Sequence, residues 1–239
     1  MPFEPLPHSD SSVQLRILDG GSFMAELNKL HDGAGNDRFR MYNWAFHIYH
    51  PKTDRHVLWD VGMEGDPKKY TPWVEKFMFE DVHPVGPQKA TETWREFEGP
   101  WTSFGPFEKA MDFFGDGSLF VIQAPGHMPG NLCAAAHVGE GVWILLGSDC
   151  CHSREILDGK CEIAVFTLPN GMKMSLQADI PAAKDTINRI RELEQLGVHI
   201  ALAHDAQWIK KGSDHVLMGM FDEKIKQTAV EKIVNDERP

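Results

Sequence analysis

The sequence predicts an α+β protein, and three observations carry that expectation. Residues 119–122, 132–138 and 142–146 are short apolar runs, each closed by a Gly- or Pro-containing turn, the pattern of buried strands. Between 181 and 196, Ile187, Ile190, Leu193 and Leu196 share one helical face with charge opposite; Pro181 suits the first turn and Gly197 the exit. That helix feeds a last apolar run, 198–203, which ends in His204-Asp205.

Taken in order, 12–23 alternates around Val13, Leu15 and Ile17 and reads as a strand that turns at Gly20-Gly21. Residues 27–40 are polar and Gly-rich, a loop near a substrate entrance. Residues 42–50 read as a strand, 51–54 as a turn, and 56–61 as a returning strand that ends in Asp60-Val61-Gly62. Trp73, Phe77 and Met78 have helical spacing and read as the core face of a short amphipathic helix within 66–79. Residues 82–106 carry repeated Pro and Gly with no sustained period, which is uncommon inside a compact domain. Gly115-Asp116-Gly117 turns the chain toward Leu119. Pro169-Asn170-Gly171, between 161–168 and 172–177, is a hairpin signal because Asn-Gly accepts positive φ. Residues 221–234 suggest a C-terminal helix with Asp222 and Glu223 at its start. With no repeat or linker, 1–239 is read as one domain.

Composition narrows the function. The hydrophobic fraction of 42% suits a soluble globular chain, and the net charge of −11 argues against nucleic acid or an anionic membrane as partner. No apolar run approaches spanning length, and the first residues lack the charged and apolar regions of a signal peptide. Cys133, Cys150, Cys151 and Cys161 form neither a disulfide framework nor a CxxC pair, so a reducing cytoplasm is expected. The partner expected is a small-molecule substrate.

Three of the apolar runs each deliver a polar residue just beyond their last buried position: His127, Asp149 and His204. Strand ends backed by a sheet hold ligands well, and zinc takes imidazole nitrogen and carboxylate oxygen. Pro125-Gly126-His127, then Asp149, then His204 resemble, in order, three ligand positions of the metallo-β-lactamase superfamily, in particular its lactonase-like hydrolases. The resemblance implies an αββα four-layer sandwich, two mixed sheets face to face with helices outside. It implies zinc, one or two ions, with Asp149 catalytic and bridging, His127 on one metal and His204 on the other. It further implies hydrolysis of a lactone or other small ester-like bond. Asp60, in the D-x-G loop that the family places before its metal site, reads equally as a turn residue or as a group that orients a ligand.

The family's HxHxDH signature is absent from the twelve His positions. The nearest sequence, His47-Ile48-Tyr49-His50, has the wrong spacing and no Asp-His after it. Gln88 to Thr91 passes straight into 94–107, so the fold is expected to be incomplete around 87–91, by several tens of residues. Three ligands shared between two metals fall below the three that one catalytic zinc needs, so reduced occupancy and impaired hydrolysis are expected. The alternative is a non-catalytic or truncated relative serving as a binding scaffold; a flavin-linked or glyoxalase-type relative is a third. His152 could stand behind the metal ligands as a supporting group but reads better as an exposed loop residue, and His137 reads as structural. Asn131 stands where many relatives have a second His and is not counted as a ligand. Cys151 lacks a base partner, and no GxSxG elbow, P-loop or dinucleotide fingerprint is present.

Overall fold

A computed structural model of the chain describes residues 5–60, 83–84 and 97–221, with 226, 227, 230, 231 and 233 beyond them. The strands β1 (Gln14–Glu26), β2 (Arg38–His50), β3 (Arg55–Trp59) and β4 (His83–Pro84) form one sheet in the order β3-β2-β1-β4. A second sheet comprises β5 (Thr102–Phe104), β6 (Phe107–Asp112), β7 (Leu119–Gln123), β8 (Leu132–Gly139) and β9 (Val142–Leu146), with a late strand at its edge. A small hairpin, β10 (Phe166–Thr167) and β11 (Lys173–Met174), stands apart. The late strand, β12 (His199–Ala201), runs parallel to β9, whereas β5 to β9 form an antiparallel meander. The helices are α1 (Leu27–Leu30), α2 (Arg154–Leu157), α3 (Ile180–Gln195), α4 (Gln207–Lys211) and α5 (His215–Gly219). A parallel neighbour requires a long crossover, and α2, the hairpin and α3 supply it between β9 and β12.

Side-chain alternation explains why β7, β8 and β9 read as unbroken apolar runs. Leu119, Ala134, Ala136, Ile144 and Leu146 enter one core with Leu15, Ile17, Trp44, Phe46 and Ile48 of the facing sheet. Their neighbours Phe120, Ile122, Cys133, Ala135, Trp143 and Leu145 enter a second core with Ile187, Ile190 and Leu193 of α3. A sheet covered on both faces has no polar side to show. The result is the α+β sandwich that the resemblance implies.

Several local expectations need correction. Gly20-Gly21 does not end the first strand. Gly21, at φ +102°, inserts a bulge between Asp19 and Ser22, its amide donates to Asp19 Oδ1 at 3.0 Å, and β1 continues to Glu26. The polar stretch 27–40 holds α1 and the start of β2. Leu196 is 45% exposed because the helix ends one residue earlier and Gly197 turns the chain away. Within 82–106 the short edge strand β5 pairs with β6 across Gly105-Pro106. The helix expected within 66–79 and the gap expected at 87–91 lie outside the described residues. Of the C-terminal helix, Lys226, Gln227, Val230, Glu231 and Ile233 are helical. No helix of the described residues is long and apolar enough to cross a membrane.

The turn before β7 is held by Asp116. Its Oδ1 accepts from the Ser118 hydroxyl at 2.6 Å and its Oδ2 lies 2.9 Å from His50 Nε2. Burial pushes this carboxyl up, but the bonds from Ser118 and His50 prevail and hold it at about 2. A folded-state value below the ordinary 3.8 means stabilisation that is present above that pH and lost as pH falls toward 2. Asp116→Asn is therefore expected to cost about 1–3 kcal/mol near neutral pH. Urea titrations across a pH series check this: the gap from wild type closes in acid, and a gap constant with pH contradicts it.

Candidate metal centre

His127 lies beyond β7 in a loop pressed against the start of α3. Gly126 has φ +138°, and a Cβ there would stand 2.4 Å from Ala183 Cα and 2.5 Å from Ala183 N, so only glycine allows this approach. Ala178 N donates to His127 O at 3.0 Å, Asp179 N to Gly126 O at 2.9 Å, and Thr186 Oγ1 to Pro125 O at 2.7 Å. Asp179 also caps α3 by accepting from Ala182 N at 3.0 Å. The helix start and the His127 loop are thereby one unit.

Asp149 and His204 come from the parallel pair. Leu146 of β9 is aligned with Ala201 of β12, and each ligand candidate stands three residues further on. Gly147 N donates to Ala201 O at 2.8 Å, and Asp149 follows in a 3-10 turn, Ser148–Cys150. Trp44 N donates to Ala203 O at 2.8 Å, so β2 of the facing sheet is fastened to the same corner. His204 Nδ1 donates to Tyr42 O at 2.7 Å, and its Nε2 lies 2.7 Å from Asp149 Oδ1. Burial pushes the His204 imidazole down in pKa, but the bond to Asp149 outweighs it and the net shift is upward. Burial pushes the Asp149 carboxyl up, and His204, with His152 and His127 behind it, pulls it below the usual carboxylate range.

His127 Nε2 lies 3.8 Å from Asp149 Oδ2. The structure thus brings together the three residues singled out from sequence, and it adds a fourth. His152 is 8% exposed, contrary to the exposed-loop expectation: it follows Cys150 and Cys151, which pack into the second core, and its ring lies over the centre. Its Nε2 is 3.6 Å from Asp149 Oδ1, and its ring stacks on His204 at 5.6 Å between centroids and meets His127 edge-on at 5.0 Å. Burial pushes its pKa down to about 3, so the imidazole is neutral, the form that ligates metal. The signal available in the sequence was the short spacing Asp149-x-x-His152, which keeps the two residues close along the chain.

Asp60 stands beside the pair at φ +51°. Burial pushes its carboxyl up to about 6, against a bond from the Ser148 hydroxyl, and the nearby Asp149 charge adds to the rise. The remaining polar candidates have other duties. His47 Nε2 meets His56 Nδ1 at 2.8 Å, and His50 meets Thr53 and Asp116. His137 is buried against Ser11 O, and Asn131 Nδ2 donates to Ala124 O at 2.9 Å. Burial pushes the Cys151 thiol up to about 12, far from nucleophilic use.

The side chains fit a metal ion. His127 Nδ1 and Gln177 Oε1 are buried without hydrogen-bond partners, while Gln177 Nε2 contacts His152 Nδ1 at 3.1 Å. Half a turn of the Gln177 amide brings Oε1 to accept from His152 Nδ1–H, which leaves the Nε2 lone pair free toward Asp149. The ligand atoms of His127, Asp149 and His152 all lie within 4.8 Å of one another. Above them opens a cavity of about 520 Å³, walled by Phe23, Leu30, Met41 and Leu176, a size suited to a small molecule.

No family model matches the chain. It is 48% identical over 126 residues to the metallo-hydrolase mfmC of Annulohypoxylon moriforme, which covers 40% of this chain and 33% of that protein. It is 34% identical over 124 residues to the cytochrome P450 monooxygenase mpaDE' of Penicillium brevicompactum, covering 44% of this chain and 14% of that protein. The chain therefore spans a third or less of the length of these curated relatives. Among solved structures it is similar to an N-acyl homoserine lactone hydrolase with N-hexanoyl-L-homoserine at its catalytic metal centre, with a TM-score of 0.57 and 13% identity over 86% of this chain and 97% of that one. A probable metal-dependent hydrolase from Staphylococcus aureus gives 0.54, at 10% identity over 82% and 90%. The chain thus has the fold of N-acyl homoserine lactone hydrolases and shares sequence over part of its length with a metallo-hydrolase, both consistent with the resemblance to the metallo-β-lactamase superfamily.

Proposed function

We propose that the chain is a zinc-dependent hydrolase that opens a lactone or another small ester-like bond, with His127, Asp149 and His204 as ligands and His152 joining them. The observation that supports this best is the convergence of three imidazoles on the Asp149 carboxylate at the floor of a largely apolar cavity. His127, Asp149 and His152 make a three-ligand set for one ion, the number a catalytic zinc uses while keeping a position open. His152 thereby offsets part of the shortfall left by the missing HxHxDH. When bound, zinc supplies an acidified water and polarises the carbonyl under attack.

The chain's own groups do the rest. His204, anchored on Tyr42 O through Nδ1, points its Nε2 at Asp149 Oδ1, where the two side chains would hold the ion together. Oδ2, on the side toward His127, is placed to take the proton from the attacking water. The water oxygen bonds to the acyl carbon, the ring C–O bond breaks, and the proton passes to the departing alkoxide. Phe23, Met41 and Leu176 cover the apolar part of the substrate.

Hydrolysis of a simple aliphatic lactone by the zinc-loaded chain tests the reading. Turnover is expected to vanish on chelation and in His127→Ala; turnover unchanged in His127→Ala overturns it. A second reading, a binding scaffold without catalysis, is favoured by the absent HxHxDH. The alignment to mfmC points the same way: its 126 positions exceed the 40% of 239 residues they cover here, which leaves part of the relative opposite gaps. Lactone binding by the zinc-loaded chain with no ring opening would select that reading.

A further inference from the structure

His31, Glu155 and Cys161 converge at a place that shares no residue with the His127–Asp149 centre. His31 Nδ1 lies 3.6 Å from Glu155 Oε2, which lies 3.7 Å from Cys161 Sγ, and all three ligand atoms fall within 4.8 Å of one another. We propose that these three side chains form a second metal site, which takes one zinc ion and leaves the fourth position to water. Zinc bonds of about 2.0–2.1 Å to nitrogen, 2.0–2.2 Å to oxygen and 2.3 Å to sulfur, at tetrahedral angles, put ligand atoms roughly 3.3–3.6 Å apart. The two measured edges are within a few tenths of an ångström of that. The third closes by movement of Cys161, which is only partly buried, on the loop after α2.

The scaffold behind the ligands is rigid. Segments 30–32 and 162–164 meet at the bridge His31↔Ile163, with Asp32 N donating to Glu162 O and Ala164 N to Leu30 O, each at 3.0 Å. Lys160 N and Cys161 N both donate to Glu155 O, which ties thiol and carboxylate to one short stretch. His31 is 5% exposed, so its ring is held in place by its surroundings. Its Nε2 sits 2.8 Å from Ser153 Oγ. With Nε2–H donating there, Nδ1 presents its lone pair to Glu155 and Cys161, the arrangement that orients a ligating histidine. Thiolate, imidazole and carboxylate together select zinc over magnesium or calcium.

The site has a consequence for the cavity. The four-residue helix α1 ends at His31 and is too short to hold itself, yet its Lys29 and Leu30 line the wall above Asp149. An ion on His31 clamps that wall to α2.

Cobalt(II) titration of the full chain tests the site, because a thiolate ligand gives a near-ultraviolet charge-transfer band that His and Asp ligands do not. The band is expected in wild type and in His127→Ala, and lost in Cys161→Ser, with one equivalent less zinc retained after dialysis. Glu155→Gln, at a half-exposed position, serves as a second variant and should weaken the band's titration at least tenfold if the site exists. Cobalt uptake with no such band, or a band that persists in Cys161→Ser, overturns the proposal. Neither result bears on hydrolysis at Asp149.

Discussion

Asp149→Asn is expected to strip the chain of retained zinc and of hydrolysis together. The substitution keeps shape and removes only charge. Three imidazole nitrogens, from His127, His152 and His204, face this one carboxylate at 3.8, 3.6 and 2.7 Å. An amide offers one weak acceptor where the carboxylate offers two strong ones. Losing a group that merely orients a ligand costs about 10–100-fold in metal affinity, so losing the shared ligand should cost more than about 100-fold. Zinc content after dialysis and lactone turnover measure the two effects. The side chain is 36% exposed, so the fold should survive, and circular dichroism checks that. Zinc content equal to wild type would remove Asp149 from the centre.

The largest stability effect is expected from Gly126→Ala, at roughly 3–5 kcal/mol, the sum of positive-φ strain and backbone overlap. The new Cβ would meet Ala183 Cα at 2.4 Å, Ala183 N at 2.5 Å and Ala183 Cβ at 2.7 Å. No rotamer relieves a clash with backbone, and α3 cannot retreat without pulling Ile187, Ile190 and Leu193 out of their core. The His127 loop would have to lift instead, and the imidazole would leave Asp149. Gly130→Ala is the matched control: its φ is +80°, but nothing lies within 4 Å. A Gly126→Ala urea midpoint equal to that of Gly130→Ala would show that the contact with α3 is not what holds the loop.

The strands of the larger sheet were readable because burial on both faces leaves continuous aliphatic runs, and Gly and Pro mark their ends. The same reasoning placed His127, Asp149 and His204 at strand ends. It failed where local grammar was overruled by tertiary contact. Gly20-Gly21 has turn composition, yet the paired β2 carries the chain through as a bulge. His152 follows two cysteines in what looks like a loop. Only the packing of Cys150 and Cys151 into the second core shows that the chain there is drawn inward, with His152 next to them. Leu196 keeps the helical period but falls one residue past the helix end, where period no longer fixes a face. His31 is far in sequence from Glu155 and Cys161, and the three fit no ligand motif, so only the bridge between 31 and 163 shows them as neighbours.

The matched offset of carboxylate and imidazole from a common rung of two neighbouring strands has an evolutionary corollary. Their spacing is inherited from the ladder and not from the connecting chain, so the long excursion from one strand to the next can lengthen, shorten or be wholly rewritten while the contact endures. A single residue gained or lost in the two short overhangs, 147–148 or 202–203, would instead put the partners out of step.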